Sequence, residues 1–203
     1  MEDTPIIKLL LKLAPPVMLA LFIQSIYNIV DSYFVSQYSA EGLTALSIIC
    51  PIQLLMTALA TGTGAELNIL ISRMDGEGKT DIQHHIVKNG ILTGIFNSLI
   101  FVIFGTLFIG IYYHISSNSD LVRIEGIQYA KIISLFSFGM FIEASCTKIL
   151  QAKGNMFLPM YAQIVGAITN VILDPILIFG KFGFPMLGIQ GAAIATIIGQ
   201  WLL

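Results

Sequence analysis

The sequence predicts an all-α membrane protein, a six-helix transmembrane bundle, and three observations carry that prediction. Of its 203 residues, 56% are hydrophobic and 11% charged, with a mean hydropathy of +0.84. Soluble domains carry about 25% charged residues. The apolar residues fall in runs long enough to cross a hydrocarbon core, which takes about 20 residues for about 30 Å. Those runs are separated by short polar or Gly/Pro-marked connections. They are far longer than the roughly 10-residue alternating segments of membrane barrels. The apolar content excludes disorder. A net charge of −2 with no basic block leaves no electrostatic footprint for nucleic acid.

The elements follow in order. MEDTPIIKLLLKLAPP begins acidic and passes into an apolar run with no Ala-x-Ala cleavage site, so it opens the first span rather than a removed signal peptide. Spans are expected at 13–37, 44–71, 88–112, 122–147, 158–180 and 188–203. The connections are QYSAEG, RMDGEGKTDIQHH, SSNSD, AKGN and KFGFP. The stretch Asn89–Tyr113 is the clearest, with no Asp, Glu, Lys or Arg. The last span stops at Leu203 after about 16 residues without a polar end, which reads as a fragment cut within its sixth helix.

Lys and Arg set the orientation. Lys8, Lys12, Arg73, Lys79, Lys88, Lys148 and Lys153 fall on one side, against Arg123 and Lys181 on the other, with Lys131 inside a span. That puts the N-terminus of a multi-pass cell-membrane protein in the cytoplasm. Cys50 and Cys146 then lie near opposite faces and are not expected to pair.

Four acids fall inside predicted spans: Asp31, Glu66, Glu143 and Asp174. An acid at a helix centre costs about 2.5–3.5 kcal/mol on insertion scales, so such groups face a bundle interior or a wet cavity. Glu66, near Arg73, and Glu143, near Lys148, read as partly solvated structural residues. Asp31 and Asp174 sit in the outer halves of helices that run in the same direction, and so at similar depth. Asn170 is four residues before Asp174, on the same helix face. Pro175 has no N–H, which frees the carbonyl of Val171, and open backbone at membrane depth is tolerated where it is buried or lines a cavity. An acid, an amide and a free carbonyl together suit a proton or a hard cation such as sodium. Low dielectric favours a protonated carboxyl, which permits proton coupling. Pro15 is an ordinary helix-start proline; Pro16, followed by a full-length span, marks either that start or a bend.

Several patterns carry no chemistry. GEGKT lacks the first glycine of a phosphate-binding loop, since Arg73 stands there. His84 and His85 are adjacent and point to different faces. GIQGAAIATIIG reads as small-residue helix packing. No nucleophile with a matching base is present, so no enzyme is expected.

KLAPPVMLALFIQSIYNIVDSYFVSQYSAEGLTALS, SRMDGEG, LQAKGNMFLPM, NVILDPILIFG and GIQGAAIATIIGQ together resemble, in order, the amino-terminal half of multidrug and toxic compound extrusion (MATE) transporters, closest to the bacterial multidrug-pump subgroup. The resemblance implies one six-helix lobe of a twelve-helix, two-lobe transporter in the inner membrane. It implies export of small organic, often cationic compounds in exchange for protons or sodium, with no cofactor and a second lobe as partner. It implies a cation site of Asp31, Asn170, Asp174 and Thr196, with Thr147 where some members place an asparagine. It further implies that Gln24 and Tyr27 line the lobe cavity and that Pro16 bends the first helix. No metal is implied beyond sodium at Asp31, Asn170 and Asp174. Two alternatives remain: a lipid-linked oligosaccharide flippase, against which the mostly acidic embedded charges argue, and a self-associating half-size membrane protein without transport.

Overall fold

The computed structural model describes residues 6–202 and is helical throughout. Leu203, the last residue of the span expected at 188–203, lies outside the described residues, as do the side chains of Lys8 and Lys12. Helix α1 (Ile6–Tyr38) contains Pro15 and Pro16 and is continuous through both. A single residue, Ser39, separates it from α2 (Ala40–Gly76), and its hydroxyl caps α2 by accepting from the Gly42 N–H at 2.9 Å. The turn expected over QYSAEG is thus one residue long.

The third crossing is α3 (Thr80–Ile103), a π-helical turn (Phe104–Phe108) and α4 (Ile109–Ser116). The π turn sits where Gly105 meets the neighbouring helix: a Cβ there would lie 2.1 Å from Ser134 Cβ. The crossing expected at 122–147 is two helices, α5 (Asp120–Leu135) and α6 (Ser137–Ala152), bent by 45° at Phe136. Helix α7 (Phe157–Phe179) contains Pro175 and ends on Gly180 in the left-handed region, with φ 69°. The connection folds back, and Leu187 and Gly188 donate to the carbonyls of Leu177 and Ile178 at 3.0 and 3.2 Å, occupying acceptors that the helix end leaves open. Helix α8 (Ile189–Trp201) follows.

Among the described residues, four helices are each long and apolar enough to cross a membrane, and the bent α5–α6 pair makes a fifth. The sixth expected span corresponds to the 13-residue α8. This is a multi-pass membrane bundle. Large apolar side chains such as Leu92, Phe96, Ile111 and Ile172 stand exposed on its helices, as a lipid-facing surface requires.

Inside, α1 packs on α7, α7 on α8, and α2 on α3, α5 and α6. Gly191, Ala192, Ala193, Ala195 and Gly199 of α8 are buried, the close helix packing that their small size permits. The Phe101 and Phe141 rings stack at 5.9 Å, and Tyr113 donates its hydroxyl to the Ala45 carbonyl at 2.8 Å, tying α4 to α2. Where the α2–α3 and α6–α7 turns meet, Lys153 bridges Asp75 at 3.0 Å and also bonds Gln83. Beside it, Lys79 first and Arg73 second hold the Glu77 carboxyl below its usual range by hydrogen bonding to it.

Candidate functional site

The α1–α7 contact decides where the two inner acids lie. Asp31 is 8% exposed and Asp174 fully buried, on two helices that pack together. Asn170, one turn before Asp174, faces both the acid and α8. With its amide turned to satisfy its neighbours, Nδ2 donates to Asp174 Oδ2 at 3.2 Å and the amide oxygen accepts from the Thr196 N–H at 3.2 Å. The opposite orientation gives Nδ2 to the Thr196 hydroxyl at 3.3 Å but leaves Asp174 without a donor. The first is physically preferred, because a buried acceptor without a partner costs more than a bond exchanged.

One oxygen of each acid stays bare. Asp31 Oδ1 and Asp174 Oδ1 are buried and have no hydrogen-bond partner among the described residues. No basic side chain pairs with either acid among them. Two buried acids without a basic partner form a site whose bare oxygens a proton or a cation would satisfy. Pro175 leaves the Val171 carbonyl without a helical N–H partner one turn away. The arrangement is suited to hold a proton or a small oxygen-loving cation.

Beside this pair lies a cavity of about 620 Å³. Of the residues expected at the site, Pro16, Gln24, Tyr27, Asp31, Thr147 and Thr196 line it; Asn170, Asp174 and Pro175 stand behind its wall. Thr147 donates its hydroxyl to Glu143 Oε1 at 3.0 Å, so its bond goes to a cavity acid rather than to Asp174. Glu143, expected to be a partly solvated structural residue, lines the cavity. Glu66, by contrast, is exposed and away from it. Lys148, counted in the sequence as a connection charge, belongs to α6 and also lines the cavity.

Sequence reasoning also missed Gln53 and Tyr129, which bond across the cavity wall at 3.3 Å. The four-residue spacing of Glu143 and Thr147 was the available signal for their shared face. Nothing in the sequence paired Gln53 with Tyr129. Asp31 and Asp174 lie toward the end of the bundle where α1 joins α2 and α7 turns to α8. Glu143 and Lys148 lie toward the opposite end, where α6 turns to α7.

The fold has counterparts in known proteins. The MatE family model matches residues 16–176. The "FAD transporter" of Shewanella oneidensis is 28% identical over 99% of this chain and 44% of its own length. The "Probable multidrug resistance protein NorM" of Thermotoga maritima is 26% identical over the same shares. A solved structure described as "Crystal structure of MATE in the straight conformation" superposes with a TM-score of 0.86 at 26% identity, covering 95% of this chain and 42% of that one. The chain thus spans less than half the length of the relatives it matches. With most of its length under one family model and the same fold in a solved member, the chain belongs to the MatE family.

Proposed function

We propose that this chain is the amino-terminal lobe of a two-lobe secondary transporter that exchanges protons or sodium for small organic, often cationic compounds. One observation carries the reading: two buried acids, Asp31 and Asp174, each keep an oxygen without a donor beside a cavity of about 620 Å³. Such a pair binds a cation or is a standing cost. Asn170 and Thr196 hold Asp174 in place, and the Val171 carbonyl that Pro175 frees is a further oxygen. Gln24 and Tyr27 contact cargo. Thr147 positions Glu143 in the same cavity. Bending of α1 at Pro16 couples cation binding to cargo release. The N-terminus lies in the cytoplasm, and a second lobe completes the path. No cofactor is needed.

The multidrug-resistance name of the Thermotoga relative supports organic cargo. A second reading, a phosphate-bearing cargo such as the FAD in the Shewanella relative's name, has Lys148 in its favour, since this basic residue lines the cavity.

Ethidium efflux from cells expressing the full-length protein tests the first reading, with Asp174→Asn and Pro16→Ala against wild type and the two ion gradients varied separately. Efflux is expected to follow one gradient, to be lost in Asp174→Asn and to be impaired in Pro16→Ala. Normal export by Asp174→Asn overturns the cation site.

A further inference from the structure

We propose that the connection Lys181–Met186, where α7 turns to α8, is a docking surface for an anionic phospholipid, with Lys181 on the headgroup phosphate and Phe182, Phe184 and Met186 at the edge of the acyl chains. The inference needs only a bundle embedded in a bilayer and does not rest on the transport reading.

Helix length sets the depth of this connection. Helix α7 has 23 residues, about 35 Å at 1.5 Å per residue, against a hydrocarbon core of about 30 Å. Its last turn therefore delivers the connection to the membrane surface. The exposed residues set its direction. Leu158, Tyr161, Val165, Ile168 and Ile172 are exposed at spacings of three and four, which makes one stripe along a helix. Met160 and Gln163, which line the cavity, stand about 150° around the helix from that stripe. Phe179 continues the stripe, so the chain leaves α7 on its lipid side, away from the cavity.

All six residues of the connection are exposed. Phe182 is 87% exposed and has φ 58° and ψ 28°. Glycine adopts that left-handed conformation freely and a bulky side chain only at a cost. In water the strain and the bare ring are both unfavourable. Against acyl chains burial of the ring offsets the strain, and aromatic rings gather at this level of a bilayer.

Lys181 supplies the charge. Among the described residues it forms no ion pair. Arg123, at the same end, bridges Asp120 at 3.2 Å and donates to the Ser117 carbonyl at 2.7 Å. Lys181 Nζ stands 5.7 Å from the centre of the Phe179 ring, a contact that holds the ammonium at the helix end. An unpaired ammonium beside exposed rings matches a headgroup phosphate above acyl chains.

The test uses the full-length protein with its cysteines replaced by serine and the fluorophore NBD on Met186→Cys, or on Asn118→Cys in the α4–α5 turn as a control. Nanodiscs hold phosphatidylcholine and phosphatidylglycerol, with a doxyl quencher on the acyl chain of one lipid at a time. The probe at 186 is expected to be quenched by both lipids, with phosphatidylglycerol favoured about fivefold, the size of one lysine at an anionic surface. The probe at 118 should respond to aqueous iodide instead. Lys181→Gln should abolish the preference and keep the contact. Phe182→Asn, which retains the left-handed turn, should reduce quenching by both lipids. Iodide quenching at 186 without doxyl quenching leaves the connection in water, and shielding from both quenchers sets it against the second lobe; either overturns the proposal. So does an equal response to the two lipids, a preference that survives Lys181→Gln, or doxyl quenching that Phe182→Asn leaves unchanged.

Discussion

Asp174 is fully buried, with one carboxylate oxygen taken by the Asn170 amide and the other without a donor. A group kept for stability would have both oxygens satisfied, so substitutions at this pair should separate stability from function. Asp174→Asn removes a buried charge of similar shape and should leave the thermal midpoint of the full-length protein unchanged or raised. Asn170→Ala removes the only donor to the acid among the described residues and an acceptor for the Thr196 N–H. It should lower stability by about 1–3 kcal/mol. A fluorescence-detected melt in detergent separates the two outcomes, and a marked destabilisation by Asp174→Asn makes the acid structural after all. The sequence placed Asn170 and Asp174 on one face because four residues close one helical turn. It gave no sign that Glu143 faces the cavity, because the direction a side chain points depends on how its helix packs.

At the level of the element, the third and fourth crossings bend against each other. The π-helical turn at Phe104–Phe108 faces the end of α5, and Gly105 touches Ser134 just before the 45° bend at Phe136. A methyl group on Gly105 would stand 2.1 Å from Ser134 Cβ, with both residues buried. Gly105→Ala must therefore push the two helices apart. It should cost about 1–3 kcal/mol, as overpacking does. Adding Ser134→Gly should recover most of that, which the same melt reads; failure to recover would place the strain elsewhere. Hydropathy made these crossings legible as spans, because length and apolar content alone define a span. It gave no sign of the π turn or the break, because both arise where one helix meets another. Pro16 and Pro175, the residues that sequence reasoning marks for bending, lie inside helices that continue through them.

Across the whole molecule, charge and connectivity sort by end. Ser39, the α4–α5 turn and the loop after α7 share one end; the α2–α3 and α6–α7 turns share the other. Arg73, Lys79, Lys88 and Lys153 gather at the latter, with Arg123 and Lys181 at the former. Helix α2, with 37 residues, is about 55 Å long against a hydrocarbon core of about 30 Å. Its last turns, with Asp75, therefore reach beyond the core to meet Lys153. An exposed pair of this kind adds little stability, but it fixes which two connections share a face. Lys148 drops out of the count because it points into the cavity, yet the basic excess stays at the same end. The positive-inside rule then predicts that this end is cytoplasmic. Glu77 and Asn118 are exposed at opposite ends. With Cys50 and Cys146 replaced by serine, Asn118→Cys should react with an impermeant maleimide on intact cells, and Glu77→Cys only after permeabilisation. The reverse pattern inverts the orientation. The expected result sets Glu143 and Lys148 in the cytoplasmic half of the cavity and Asp31 and Asp174 in the outer half. On the proposed transport reading, Glu143 and Lys148 would then face the side from which compounds leave, and Asp31 and Asp174 the side from which protons or sodium return.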